Sequence, residues 1–587
     1  MQRLSSFSLA ALLIAILSLS FALPAAPVTS TTIAYAQGYT PTIEWDECPF
    51  ALPEKELNTG TIECGWMIVP QQRSDPNGPQ VELAFAILAA TGANPAPDPI
   101  IYLEGGPGGS GLSGIDAWYD SPLRQDRDII VLDQRGTGYS YPFLGCYEMD
   151  EIDVADDASD AEYQAAELDA LQECADRLEA EDAVDLTAYT SAHNAADVAD
   201  LRVALGYDEW NMLGISYGTR LALTIMRDYP QGIRSVILDS TYPPVVDAFE
   251  EQAFNTQRVF EIVFNDCAAD AACNSTYPNL EQRFYALVDR LNASPVYIAD
   301  WEEDLTGNGL VDTVFDWLYN TRLIPYIPLV INDIEQGRYD MLVTLDDGVL
   351  PGEVIPADSV YDFVDEVYWL LEEASDDVYD DFFDEAYYLI VDDGDWDGFV
   401  ELLYGSFYEE DADYLLDLLD AMSDYDLYRL SYELFYEDLS DADGMYNAVE
   451  CNEELPFNSY DEGVAYSANV PVQLRETNML EFEDMIATCA LWKSGTADPV
   501  EDLAVTSAIP TFIGAGQYDP ITPPEWGVIA SQTLPNSYYF EYPAVGHGVI
   551  DGGFCPESMM RAFLNNPTVA PDASCINSMG APAFAVR

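Results

Sequence analysis

Positive charge is scarce in this chain: its 587 residues hold 21 lysines and arginines against 105 aspartates and glutamates, for a formal net charge of −84. Only Lys55 and Lys493 are lysines. That balance excludes nucleic acid as a partner, because binding a phosphate backbone needs the opposite sign. Histidine is rarer still, present only as His193 and His547, and the cysteines form no CxxC pair, so no metal site is expected. No Walker lysine follows the one glycine-rich run, Gly105 to Gly111, and no nucleotide or other cofactor is expected. Long apolar runs are missing beyond the first two dozen residues, which excludes a later membrane span. The early run, Leu9 to Leu23, follows Arg3 and precedes Ala34-Tyr35-Ala36, the pattern of a secretory signal over residues 1–36; an earlier cut near Ala26 also fits. An exported chain without a stable membrane span is therefore expected. Its ten cysteines fall into successive couples consistent with disulfides: Cys48 with Cys64, Cys146 with Cys174, Cys267 with Cys273, Cys451 with Cys489, and Cys555 with Cys575.

What is present is ample apolar material, 49% hydrophobic and 12% aromatic residues, enough for one large domain with an insertion or for two domains. Cys64 to Pro70 and Val81 to Ala89 read as a hairpin across the turn Asp75-Pro-Asn-Gly78. Ile100 to Leu103, Asp128 to Leu132, Trp210 to Leu213 and Ser235 to Leu238 are short apolar runs of the kind buried on both faces of a sheet. Helical spacing over Ala195 to Leu205 and Thr219 to Asp228 makes the order alternate as in an α/β sheet. From about 245 to 501 the pattern turns helical, with stretches at Tyr361 to Ala374, Val378 to Val391 and Tyr414 to Tyr436, before strands return at Ile509 to Ile513 and Ser537 to Tyr542. A sheet interrupted by a helical insertion fits this order. Between Arg338 and Arg429 no cation intervenes, and the acidic run reads as a solvated surface suited to high salt or mild acid rather than a dock for cationic substrates.

Gly214-Ile-Ser216-Tyr-Gly218 sits between an apolar run and a helical one, the setting of a nucleophile elbow with Ser216 as attacking group. A serine hydroxyl needs a base to take its proton. His547, in a loop directly after a strand, fits that role better than His193, which opens a helix. The third member must accept from the imidazole's other nitrogen, and Asp519 follows the strand Ile509 to Ile513; Asp239 is the runner-up. The order serine, aspartate, histidine is that of the α/β-hydrolases. Backbone N–H groups of Tyr217 and Gly106 are the expected oxyanion hole. Asp133 and Arg135 read as an ion pair bracing the site.

Five segments together resemble the prolyl and tripeptidyl aminopeptidase branch of the α/β-hydrolase serine peptidases: GGPGGSG at 105–111, DIIVLDQRGTGYS at 128–140, GISYGTRLAL at 214–223, VILDSTYPP at 236–244, and GQYDPITPP at 516–524 followed by Gly546-His547-Gly548. Two positions differ, Glu104 where prolyl iminopeptidases carry histidine and Tyr217 where they carry tryptophan. The resemblance implies an α/β-hydrolase fold, a mostly parallel eight-stranded sheet with flanking helices and a large helical cap. On it, residues 40–244 form the first part of the core, 245–500 the acidic cap, and 501–587 a C-terminal TAP-like part. It also implies Ser216, Asp519 and His547 as the triad of a secreted serine peptidase acting near the free N-terminus of peptides. A carboxylesterase uses the same machinery and is the alternative; a catalytically silent binding protein is the third reading.

Overall fold

A computed structural model describes residues 39–587 except 150–151, 153, 155–159, 182, 302, 354–356, 372–375, 393 and 436–437. The strands fall in the order of a parallel sheet with an antiparallel edge. Strands β1 (Thr42–Asp46), β2 (Ile62–Pro70), β3 (Gln80–Leu88), β4 (Ile100–Leu103), β5 (Ile129–Leu132), β6 (Trp210–Ile215), β7 (Ile233–Asp239), β10 (Thr511–Gly516) and β11 (Ser537–Tyr542) form one sheet in the order β1-β2-β3-β5-β4-β6-β7-β10-β11. The β1–β2, β2–β3 and β3–β5 pairs are antiparallel, and the pairs from β5 through β11 are parallel. Nine strands replace the eight expected. The addition is β1, whose TIEWD sequence is mostly exposed and lies against the edge of β2, so no buried apolar run announces it. The signal segment expected at 1–36 lies outside the described residues.

The two faces of the sheet make separate cores. Along β4 and β5, Ile101, Leu103, Ile130 and Leu132 join one cluster, while Ile100, Tyr102, Ile129 and Val131 join the other. This is the alternation that period-two side chains require, and each such aliphatic residue stabilises the fold by about 1.5–3 kcal/mol relative to exposure. Helices α1 (Ser191–Ala204) and α2 (Tyr217–Asp228) cover the first face through Val198, Leu201 and Leu221, and the C-terminal helix Phe554–Asn565 covers the second through Met560 and Phe563. Five disulfides join the successive cysteine couples expected from the sequence.

Between β7 and β10 the chain leaves the sheet. Helices α3 (Ala248–Ala269) and α4 (Val472–Leu491) pack against each other over the sheet's carboxyl edge, and a small hairpin of β8 (Val296–Ile298) and β9 (Glu303–Leu305) interrupts the helical series. Helices within 359–435 share a hydrophobic cluster of their own around Phe363, Phe399 and Leu415. The stretch expected as one helix over 414–436 is two, Glu409–Ala421 and Asp424–Glu433, because Ser423 and Asp426 form a capping box that starts a new helix. No helix among the described residues is long and apolar enough to cross a membrane.

Candidate active site

The Gly-x-Ser-x-Gly segment makes a strained elbow. β6 ends at Ile215, α2 starts at Tyr217, and Ser216 turns between them at φ 56° and ψ −128°. A non-glycine residue held there costs about 1–3 kcal/mol, which the surrounding contacts must offset. Ser216 N–H donates to Asp239 O on β7 at 3.1 Å. The glycines are required by close approach: a Cβ on Gly214 would stand 2.3 Å from Gly218 O, and one on Gly218 would stand 2.0 Å from Leu103 O. Tyr217 is the first helical residue, a position whose N–H has no partner within α2.

The loop after β4 passes beside this elbow. A Cβ on Gly105 would lie 3.0 Å from Ser216 Cβ, and Gly106 takes φ 102°, a conformation suited to glycine. Gly105 N–H is occupied by Glu104 Oε1 at 2.7 Å, which leaves Gly106 as the residue of the pair that lines the cavity over Ser216. The insertion holds the loop from the other side: Ser110 N–H donates to Ser440 O at 2.7 Å, and Ala442 N–H to Gly108 O at 3.0 Å.

Asp519 and His547 meet at the carboxyl ends of β10 and β11. His547 Nδ1 lies 3.0 Å from Asp519 Oδ2. The carboxylate also accepts from Thr522 N at 2.8 Å, Ile521 N at 3.1 Å and Thr522 Oγ1 at 2.7 Å. Burial works against its charge, but the His547 ring and the Thr522 donors hold Asp519 below the ordinary carboxylate range. Burial likewise disfavours a charged His547, yet the Asp519 carboxylate overcomes it and raises the imidazole above its ordinary value. Tyr319 stacks edge-on against the imidazole at 4.9 Å between centroids. The loop carrying the histidine comes over the elbow, where a Cβ on Gly548 would be 4.0 Å from Ile215 Cγ2.

The competing residues lie elsewhere. His193 Nδ1 contacts Thr190 Oγ1 at 2.9 Å, at the start of α1, where Thr190 caps the helix. Asp239 accepts from Val549 N at 2.6 Å and Ile550 N at 2.9 Å, so it braces the chain just after His547 rather than the ring. The expected Asp133–Arg135 ion pair is replaced by two separate contacts. Asp133 accepts from Leu112 N at 2.9 Å and Tyr139 N at 2.8 Å, while Arg135 pairs with Asp197 at 2.7 Å. The two loop residues that flank Gln134 take different neighbours, and α1 supplies a carboxylate that the local motif does not contain.

A cavity of about 380 Å³ stands over Ser216. Two helical stripes wall it: Ala248, Phe249, Gln252 and Asn255 from α3, and Glu481, Asp484, Met485 and Thr488 from α4. Tyr242 and Trp526 stack at 5.5 Å and add an aromatic side, and Glu450 completes the lining with a third carboxyl. Burial and the neighbouring Glu454 push Glu450 up to about 8. Glu481 is exposed toward the cavity, yet the protein around it, together with Asp312, raises it to about 7; Gln252 donates to it. Burial also raises Asp484. Neither these wall residues nor Thr522 is singled out by the sequence pattern. Thr522 lies within the GQYDPITPP segment, three residues beyond Asp519, and that spacing was its available signal.

Comparison with known proteins gives the same architecture. The chain matches the family described as alpha/beta hydrolase fold over residues 98–292 and the TAP-like protein family over 478–575. The serine protease Hip1 of Mycobacterium tuberculosis is 27% identical over 333 residues, 52% of this chain and 62% of that protein. A tripeptidyl aminopeptidase of Streptomyces coelicolor is 31% identical over 236 residues, 38% of this chain and 42% of that protein. Carboxylesterase B of Mycobacterium tuberculosis is 28% identical over 351 residues, 55% of this chain and 66% of that protein. The chain thus spans less than two thirds of the length of the first two relatives.

Proposed function

We propose that this chain, an α/β-hydrolase-fold protein with a TAP-like C-terminal region, is a secreted serine peptidase that cleaves peptides near a free N-terminus through an acyl-enzyme. The observation that carries this reading is the acidic wall, Glu450, Glu481 and Asp484, in the same cavity as Ser216. A peptide's α-ammonium is largely protonated near neutral pH; its charge, entering the cavity, favours the ionised form of these raised carboxyls and pairs with it, while the aromatic side of the cavity takes apolar side chains. Ser216 attacks the scissile carbonyl as His547 accepts its proton, and the oxygen takes up negative charge facing the N–H groups of Gly106 and Tyr217. Asp519 fixes the imidazole tautomer and stabilises the imidazolium. His547 then protonates the leaving amine, and water, activated by the same ring, hydrolyses the acyl-enzyme.

Export is supported by the five disulfides, which persist in oxidising compartments. Ester hydrolysis is the second reading, favoured by the similarity to a protein named carboxylesterase B. The deciding experiment compares chromogenic tripeptides with free and acetylated N-termini against p-nitrophenyl esters. Preference for the free peptide, abolished by Ser216→Ala and reduced by Glu481→Gln, is the expected result. Equal turnover of free and blocked peptides, or turnover of esters alone, overturns it.

A further inference from the structure

Glu104 is the first residue after β4, and its carboxyl takes no part in the bond-making steps at Ser216. It turns back along its own loop. Oε1 accepts from Gly105 N–H at 2.7 Å, and Oε2 accepts from the Tyr102 hydroxyl at 2.9 Å. Tyr102 lies two residues earlier, on the same side of the strand, and its ring is set against Trp118 at 4.7 Å between centroids. The main-chain oxygen of Glu104 is held as well, by Gln134 Nε2 at 2.9 Å. Gln134 is buried, and its Oε1 accepts in turn from Asn194 Nδ2 on α1 at 3.1 Å. Both polar atoms of the peptide unit joining Glu104 to Gly105 are therefore clamped. The next unit carries Gly106 N–H, and its oxygen, Gly105 O, accepts from Gly109 N–H at 3.3 Å. The glycine loop closes round the acid, since a Cβ on Gly109 would stand 3.0 Å from Glu104 Cγ. Burial raises the carboxyl above its ordinary range although Gly105 N–H and the Tyr102 hydroxyl both donate to it.

We infer that Glu104 is a positioning residue of the oxyanion hole: by fixing the Glu104–Gly105 peptide it aims Gly106 N–H at the oxygen of the tetrahedral intermediate, and it does so as a hydrogen-bond acceptor rather than as a charge. The inference rests on the serine mechanism proposed above and holds whether the acyl group comes from a peptide or an ester. A donor stabilises the intermediate only when it is aimed in advance at the place where charge develops. Gly105 stands directly beside Ser216, so a swing of the clamped unit would move the donor relative to the nucleophile.

The test measures kcat and KM separately for p-nitrophenyl acetate and for alanyl-alanyl-alanyl p-nitroanilide in the wild-type chain, Glu104→Leu and Glu104→Gln. Leucine keeps the bulk and accepts nothing, so kcat should fall about 10²-fold, the effect of a donor misplaced by about 1 Å, with KM changed by less than about threefold. Glutamine can accept from Gly105 N–H through its amide oxygen and donate to the Tyr102 hydroxyl, and it should restore most of the lost kcat. A loss carried by KM, or a glutamine variant as impaired as the leucine one, overturns the inference. A second arm titrates each chain with phenylboronic acid, which forms a tetrahedral adduct on the serine oxygen, and with benzamide, which forms none. Glu104→Leu should lose about tenfold in affinity for the boronic acid and keep its affinity for benzamide. Equal weakening of both, as a folding defect gives, or no weakening of either, overturns the role. If the wild-type chain cleaves the ester and not the anilide, the peptidase reading fails on that result, while the ester and boronic acid arms still decide the role of Glu104.

Discussion

Arg220, one turn beyond Ser216 on α2, donates from Nη1 to Glu454 Oε2 at 2.6 Å and from Nη2 to Glu453 O at 3.0 Å. Helix α2 is thereby tied to the insertion by a buried guanidinium. Its partners belong to a π-helical turn, Glu450–Glu454, whose first residue lines the cavity. Glu454 Oε1 also accepts from Ala248 N–H at 2.8 Å, which carries the same contact to the start of α3. The helix that follows Ser216 and the elements that line the cavity over it therefore share one electrostatic anchor.

Removing that cation while keeping its apolar length should be severe. Arg220→Met leaves Glu454 buried without its counter-charge, a change expected to cost about 3–5 kcal/mol in denaturant unfolding. A loss below about 1 kcal/mol would mean that solvent reaches the pair and that the anchor is weaker than its burial implies.

The Asp519–His547 contact sets a second expectation. Asp519→Asn keeps the shape but favours the wrong imidazole tautomer, and kcat on any cleaved substrate should fall by about 10⁴-fold. His193→Ala, which removes the contact to Thr190 and a ring beside the Arg135–Asp197 pair, should stay within about threefold of wild type on the same scale. A small effect of the first, or a large effect of the second, reverses the assignment of the base.

Much of the proposed centre is legible in the sequence because each part is local. Glycine spacing marks the elbow at Ser216, two histidines leave little choice of base, and a strand end precedes Asp519. The cavity wall is not legible in that way. Asn255 meets Glu450, Glu481 and Asp484 across 195 to 229 residues of chain, all on elements of the insertion. Helical periodicity identifies a face of α3 and of α4 but not which other face it meets, and in a chain with 105 acidic residues three particular carboxyls carry no distinguishing mark. Arg135 illustrates the same limit: the motif offers Asp133 as its neighbour, and tertiary packing supplies Asp197 instead.

Activity should fall on the acid side at a pH set by His547. The base must be neutral to accept the serine proton, and the Asp519 carboxylate, outweighing burial, holds the imidazole above its ordinary value. The acid limb of kcat/KM, measured with an uncharged ester so that the cavity carboxyls do not contribute through an ammonium, is expected to have its midpoint above about 6.5. A midpoint at or below about 6 would show that burial dominates.

Stability should run the other way above mild acid. Burial raises Glu450 to about 8 and Glu453, Asp133 and Asp239 each to about 7. Between the ordinary carboxylate values and these, the folded chain binds more protons than the unfolded one, so stability declines as pH rises from about 5 to 8. Asp519 and Asp126, held low by their partners, contribute the opposite slope, losing their stabilisation as pH falls below about 4. Thermal unfolding at constant ionic strength should therefore peak near pH 5, and a transition temperature that rises steadily to pH 8 would contradict this account.

Salt should act most strongly on the part of the insertion with its own core. Residues 359–435 contain 25 acidic side chains and one cation, Arg429, which is engaged with Asp358 at 2.7 Å. Their helices are held by a cluster built around residues such as Phe363, Phe399 and Leu415, so apolar burial there opposes a dense field of like charge. Raising salt from about 0.1 M to about 1 M shortens the screening length from about 10 Å to about 3 Å, which removes repulsion between neighbouring helices while leaving buried contacts almost untouched. Hydrogen exchange from these helices should slow severalfold over that range, whereas the amides of β6, buried on both faces, should change little. An equal concentration of a neutral osmolyte separates screening from general exclusion effects, because it slows exchange in both regions alike. Uniform slowing in salt, or none in the insertion, would remove charge repulsion as the factor that sets its stability.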